Sequence, residues 1–167
     1  MDVDLGMLLV RLALGPMLFA HGWNKVLGSG GLGGTTRWFE GLGLRPAWLH
    51  ARLAAATELA AGVLVTVGLL TGLGASAFVG LMAVATLTDH RGKGYFVFKG
   101  GCEYTLLIAM VAVALAAVGP GAWSLDHVLG LRLSGGIRAL IALVVGIGAA
   151  AGLPASAYRP SRGDGAN

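Results

Sequence analysis

Five long apolar blocks run through this sequence, and they limit what the chain can fold into more than any other feature. They lie at about residues 5–27, 53–70, 73–88, 104–118 and 137–153. A helix that crosses a bilayer needs about 20 predominantly apolar residues. Backbone groups inside lipid must be hydrogen-bonded within their own segment, so each block is predicted to be a helix. We therefore predict an all-α, polytopic membrane helix bundle with a four-helix core and a fifth, C-terminal transmembrane helix.

Composition supports a membrane protein and sets the limits of the domain. Charged residues are 12% of the chain, about half of their usual share in a soluble domain. We predict one transmembrane domain over residues 1–153, followed by a polar, disordered tail over residues 154–167. The acidic start lacks the basic stretch of a signal peptide, so the first block is expected to stay in the mature protein. A single cysteine, Cys102, excludes an intrachain disulfide and a cysteine-based iron–sulfur site.

The basic residues lie between the blocks and predict how the chain is oriented. With five crossings, nine Lys and Arg residues fall on one face and two on the other. Cytoplasmic loops carry the excess of Lys and Arg, so we expect a multi-pass plasma membrane protein with its N-terminus outside and its C-terminus in the cytoplasm. We expect the protein to contact membrane lipid, and no cluster of aromatic and basic residues that would bind nucleic acid is visible. The nine residues are Lys25, Arg37, Arg45, Arg52, Arg91, Lys93, Lys99, Arg159 and Arg162, and the two are Arg132 and Arg138.

Two ionisable residues lie inside apolar blocks, where a charge costs roughly 2.5–3.5 kcal/mol. Arg11 lies in the first block and Glu58 in the second. Counted from the helix ends at His21 and Arg52, with a rise of 1.5 Å per residue, their depths differ by about 6 Å. An arginine side chain can cover that gap, and we predict an Arg11–Glu58 ion pair inside the bundle. Two alternatives remain open: the pair only fixes the register of the helices, or Arg11 extends outward to the membrane surface.

A second group of polar residues is expected at the cytoplasmic helix ends. His21, Lys25, His90 and Glu103 are predicted to shape a site for a quinone or another head group, because histidines titrate near neutral pH and can exchange protons with a redox ring. The alternative is that helix ends at a membrane surface are polar in any case. No metal site is predicted, since no HxxH or HxxxH spacing exists. Haem is disfavoured because His21 and His90 stand at helix ends.

Two glycine pairs have the spacing that lets membrane helices approach each other closely. They are Gly68 with Gly72, and Gly148 with Gly152. We predict helix packing at both pairs, although a chain with 29 glycines contains such pairs by chance.

A series of short motifs in the first 130 residues resembles DoxX-type membrane proteins. In chain order the motifs are Arg11-Leu-Ala-Leu-Gly15, Phe19-Ala-His-Gly-Trp-Asn-Lys25, Gly28-Ser-Gly-Gly31, Glu58 with Gly62, Gly68-Leu-Leu-Thr-Gly72, His90 with Gly94, Phe96 and Glu103, and Gly119-Pro-Gly-Ala-Trp-Ser-Leu-Asp126. The resemblance implies a small four-helix membrane core and a link to membrane oxidoreduction, since founding members are counted as subunits of a thiosulfate:quinone oxidoreductase. This chain departs from that pattern by adding the fifth block. It also has no second cysteine, so sulfur chemistry by a protein dithiol is not supported.

Three functional hypotheses follow, of which the first is preferred. The chain is an integral membrane subunit linked to redox chemistry, with a quinone as the candidate ligand and a redox protein as the candidate partner. The second hypothesis is a non-catalytic scaffold or assembly factor that docks a partner protein. The third, a small transporter, is less favoured because no inverted repeat or pair of broken helices is evident.

Overall fold

Helices make up 77% of the computed structural model, which describes residues 2–131 and 135–159. The predicted all-α membrane bundle is confirmed. Within the described residues there is no strand, and one isolated antiparallel bridge joins Leu44 to Tyr158. The helices are α1 (Asp2–Leu27), α2 (Gly31–Gly41), α3 (Ala47–Val67), α4 (Thr71–Leu87), α5 (Glu103–Val118), α6 (Leu125–Val128) and α7 (Gly135–Ser156), with a 3₁₀ turn at Val97–Lys99.

Five of these helices correspond to the five apolar blocks, and their lengths differ. Three described stretches are long and apolar enough to cross a membrane: Asp2–Leu27, Ala47–Val67 and Gly135–Leu153. Helices α4 and α5 have 17 and 16 residues, which corresponds to about 24–26 Å. That is somewhat less than the ~30 Å of a hydrocarbon core, a difference that flanking residues or local thinning of the bilayer can accommodate. The number of crossings therefore stays a prediction.

Glycines let α1 and α3 pack in direct backbone contact. A Cβ atom added at Gly62 would lie 2.7 Å from the backbone nitrogen of Phe19 and 2.8 Å from the carbonyl oxygen of Gly15. Among the described residues, nothing lies within 4 Å of a Cβ atom added at Gly148 or Gly152, so the close packing predicted for that pair is not found there. In the other predicted pair, Gly68 lies against the guanidinium of Arg11 from α1, and a Cβ atom at Gly72 would lie 3.8 Å from Arg138 of α7. The backbone contact between α1 and α3 is made by Gly15 and Gly62, which belong to neither predicted pair.

Helix α4 lies at the centre of the bundle. It packs against α3, α5 and α7, whereas α1 packs chiefly against α3. The core is built from small and branched apolar residues, with Phe78 of α4 fully buried in it. Helix α7 buries Ala142 and Ala150 and exposes Val144 and Ile147, as expected for a helix that covers one side of a four-helix core and faces lipid on its other side.

The chain beyond α7 turns back against the connection between α2 and α3. The backbone nitrogen of Arg45 donates to the carbonyl oxygen of Ala157, and that of Arg159 donates to Gly43, both at 2.7 Å. We call residues 43–45 and 157–159 the strap. The tail that the sequence predicts to be disordered begins at residue 154. In the structure, residues 154–159 belong to the folded part of the chain, because α7 continues to Ser156 and the strap includes residues 157–159. Residues 160–167 of that predicted tail, and Arg132 and Arg162 of the charge count, lie outside the described residues.

Candidate functional site

The C-terminal ends of α1, α4 and α7 meet the N-terminal ends of α3 and α5 at one end of the bundle. We call this the basic end, because the predicted positive face lies there. Its described basic residues are Lys25, Arg37, Arg45, Arg52, Arg91, Lys93, Lys99 and Arg159.

A buried ion pair joins α1 to α3 near the basic end. The ammonium nitrogen of Lys25 donates to both carboxylate oxygens of Glu58, each at 2.7 Å. The two side chains are 12% and 9% exposed. Gly22 permits this contact, because a Cβ atom there would lie only 3.0 Å from Cβ of Glu58. Lys25 follows Gly22 by about one helical turn and therefore reaches the same face of α3.

The predicted Arg11–Glu58 pair is wrong, although both side chains are buried as expected. Gly22 is level with Glu58, and Arg11 lies eleven residues earlier, which is about 16 Å along α1. The sequence estimate counted depths from His21 and Arg52. In the structure α1 continues to Leu27 and α3 begins at Ala47, so the true register of the two helices differs from the one assumed.

Arg11 instead joins three segments at the opposite end of the bundle. Its Nη2 donates to the carbonyl oxygen of Trp123 at 2.5 Å, and its guanidinium packs against Gly68, where α3 ends. Its Nε and Nη1 have no hydrogen-bond partner among the described residues. Arg11 therefore does not contribute to a site at the basic end.

Asp126 is a structural residue that the sequence analysis did not single out. Its carboxylate accepts hydrogen bonds from the backbone nitrogens of Leu70 and Thr71, at 2.7 and 3.0 Å. It thereby satisfies free N–H groups at the start of α4, although it lies 55 residues away in sequence. The closing motif that contains Asp126 was visible in the sequence, but nothing in its spacing revealed the distant helix that it caps.

A cavity of about 540 Å³ extends from the basic end into the bundle. It is partly enclosed and mainly apolar. At the basic end its wall includes His21, Lys25, Glu58 and His90. Three of the four residues predicted for a head-group site thus line one cavity together with one member of the predicted ion pair.

Glu103, the fourth predicted residue, does not line this cavity. Its carboxylate accepts a hydrogen bond from the backbone nitrogen of Val97 at 3.0 Å. The backbone nitrogen of Glu103 donates to the carbonyl oxygen of Tyr95 at 2.8 Å. Glu103 therefore holds the connection between α4 and α5 in place.

The hydrogen bond of His90 determines what the rest of its ring can do. Its Nδ1 lies 2.6 Å from the carbonyl oxygen of Gly100. A carbonyl oxygen only accepts hydrogen bonds, so Nδ1 carries the proton. In the neutral ring Nε2 is then an acceptor, and His90 can accept a hydrogen bond or a proton from a hydroxyl group.

A second cavity of about 310 Å³ adjoins the first on the polar side. The glycine-rich turn after α1 and the start of α2 form its wall, with Asn24 and Thr35 among the polar residues. His21, Lys25 and Trp38 line both cavities. These three side chains therefore stand between an apolar compartment and a polar one. Within the described ranges, no three His, Cys, Asp or Glu side chains are grouped so that they could hold a metal ion.

Comparison with known proteins gives the family and one named relative. The DoxX family model matches residues 6–91. A protein of Bacillus subtilis (strain 168) with the name "Putative oxidoreductase CatD" is 33% identical over 123 residues, which cover 74% of this chain and 86% of that protein. No solved structure shows a significant match.

Proposed function

This chain belongs to the DoxX family, and from that premise we propose that it acts in membrane redox chemistry by binding a quinone in its cavity. The apolar helices support a membrane location, and the name of the Bacillus relative supports a redox association. The choice of a quinone as the ligand is our proposal, and it rests on the chemistry of the cavity wall.

The observation that carries this proposal is the combination of groups around the 540 Å³ cavity. A small-molecule site is typically an apolar cleft of about 300–1,000 Å³ with a few polar groups that orient the ligand. A quinone has an apolar tail and a ring with two carbonyl oxygens. The apolar part of the cavity suits the tail, and Lys25, His21 and His90 at its basic end suit the ring.

Each polar residue has a role that follows from its hydrogen bonds. Lys25 can share its ammonium group between Glu58 and a ring oxygen, because an ammonium has three N–H donors. His90 presents an acceptor, which favours the hydroxyl group of a quinol. His21 lines both cavities and can exchange protons with water. Interconversion of quinone and quinol transfers two electrons and two protons, and we assign the electrons to a redox partner protein.

The proposed orientation places this chemistry at the inner leaflet. The basic end carries most of the Lys and Arg residues, and the positive-inside rule assigns such an end to the cytoplasm. We accordingly propose a plasma membrane protein whose N-terminus is outside and whose quinone ring site faces the cytoplasmic side.

A binding measurement with a matched pair of variants tests the proposal. Purified protein in lipid nanodiscs is titrated, in the absence of oxygen, with the reduced quinol forms of a prenylated naphthoquinone and a prenylated benzoquinone. We expect wild type to bind one of them and His90→Phe to bind it more weakly by about three- to tenfold, the equivalent of one hydrogen bond. His127→Phe is the control, because His127 is exposed at the other end of the bundle. Absence of binding to wild type refutes the proposal, and equal binding by both variants refutes the position of the ring.

One observation favours the non-catalytic alternative, in which the protein docks a partner. The side chains from Tyr95 to Phe98 are 51–76% exposed on the connection between α4 and α5. Exposed aromatic residues of this kind occur at protein interfaces and also at the membrane–water boundary. This alternative predicts that the wild-type chain binds no quinone and co-purifies with a stable partner protein. It also predicts that the partner is lost when Phe98 is replaced by serine.

A further inference from the structure

The cavity continues as a long slot along one face of α4. Its floor is a stripe of α4 residues spaced by three or four positions, which therefore share one side of the helix. The stripe runs from Leu73 through Ser76, Gly80 and Val84 to Thr88. Fifteen residues of helix correspond to about 22 Å, or some two-thirds of the thickness of a hydrocarbon core. The slot is thus long enough for an extended chain that lies parallel to the lipid tails.

The two walls of the slot do not close against each other. Residues of α3 and of α7 both line it. Each of these helices packs extensively against α4, but the described parts of α3 and α7 do not pack extensively against each other. Three apolar side chains from α3, α4 and α7 line the cavity and are also about half exposed: Leu53, Leu73 and Val145 are 53%, 56% and 49% exposed. In a membrane these exposed faces lie against lipid.

Contacts between elements cross the slot on its other sides. On the side of α1 and α5, the hydroxyl of Tyr104 donates to the sulfur of Met17 at 2.9 Å and links the two helices. At the basic end the strap crosses from the α2–α3 connection to the end of α7. Tyr158 of the strap is 9% exposed and packs with Phe39 and Leu44. The gap between α3 and α7, where the slot has exposed apolar side chains, is therefore a route that leads from the slot to the lipid.

We infer that a long-chain amphiphile enters this cavity sideways from the bilayer, between α3 and α7, with its head group at the basic end and its chain along α4. The identity of the head group rests on the proposed quinone function. The route follows from the shape of the slot and from the exposed apolar side chains at its mouth. We call the gap between α3 and α7 the portal.

Photochemical labelling can test the portal with two probes. Both probes carry the same sixteen-carbon chain with a diazirine near its far end; one has a naphthoquinone head and the other a phosphocholine head. After illumination of the full chain in nanodiscs, mass spectrometry compares labelling of the α4 stripe from Ser76 onward, without the exposed Leu73, with labelling of Met110. Met110 is 71% exposed and reports contact with bulk lipid, whereas Ser76 is 3% exposed and is reached only from inside the slot.

Two variants narrow the portal, and a third is their control. Ala149→Trp places a large side chain on the α7 side, at an exposed residue that lines the cavity, and Leu53→Trp does so on the α3 side. Ile147→Trp adds similar bulk to an exposed α7 residue that does not line the cavity. We expect the ratio of stripe labelling to Met110 labelling to fall on the order of tenfold in the portal variants. The ratio should stay near the wild-type value in the control.

The outcomes separate this inference from the proposed function. Equal labelling of the stripe in wild type and both portal variants overturns the portal and leaves the quinone proposal standing. Labelling of the stripe only by the phosphocholine probe, with loss in the portal variants, supports the portal and overturns the quinone proposal. If neither probe labels the stripe in wild type, no amphiphile enters and the portal is overturned.

Discussion

Breaking the Lys25–Glu58 pair should destabilise the protein far more than breaking a surface pair of the same length. Lys25 and Glu58 are 12% and 9% exposed at 2.7 Å. Arg45 and Glu40 are also 2.7 Å apart but 59% and 53% exposed. Removal of one partner from a buried pair leaves a buried charge and costs about 3–5 kcal/mol. Loss of an exposed pair costs about 0.2–1 kcal/mol.

The perturbation is Lys25→Met, with Arg45→Met as the matched control. The melting temperature of each variant is measured by thermal unfolding in the same detergent, with the loss of the helical circular dichroism signal as the readout. We expect Lys25→Met to lower the melting temperature by roughly 10 °C and Arg45→Met by no more than about 3 °C. The double variant Lys25→Met/Glu58→Met should recover part of the loss, because it leaves no unpaired buried carboxylate. Equal effects of the two single variants would refute the reasoning, since burial is the property that distinguishes the pairs.

Two further predictions concern packing and capping. Gly62→Ala should lower the free energy of unfolding by about 1–3 kcal/mol, because the added Cβ meets backbone atoms of α1 at 2.7–2.8 Å. Gly148→Ala is the control, because its Cβ enters open space. It should leave the stability unchanged or raise it by up to about 1 kcal/mol. A thermal scan that ranks these two in the opposite order contradicts the contact between α1 and α3. Asp126→Ala should cost about 1–3 kcal/mol, because the backbone nitrogens of Leu70 and Thr71 lose their acceptor. It should leave quinone affinity unchanged, and a drop in affinity in still-folded protein would argue against a ring site confined to the basic end.

The helical architecture could be predicted because it depends on a property that each segment carries by itself. A long apolar block in lipid has to form a helix, whatever its neighbours do. The strap and α2 could not be predicted in the same way. Residues 43–45 and 157–159 are polar or short segments, and they are ordered only because the ends of α2 and α7 come together. Tyr158 gives no sign in the sequence that its partner lies 114 residues earlier.

Three residues that line the candidate site could be predicted from the sequence, but the ion-pair partner of Glu58 could not. His21, Lys25 and His90 follow from their positions at helix ends, and the structure places all three around one cavity. The partner of Glu58 depends on the register of α1 against α3, which is set by glycine contacts that hydropathy does not reveal. A choice between Lys25 and Arg11 as the partner of Glu58 requires that register, because the two residues lie about 21 Å apart along α1.

The most direct test of the central claim is an experimental structure of the protein saturated with the quinol that it binds. We expect density for the ring beside Lys25 and His90, with one ring hydroxyl within hydrogen-bonding distance of Nε2 of His90, and density for the tail along the α4 stripe. Ring density on the lipid-facing surface, or an empty cavity in saturated protein, would contradict it.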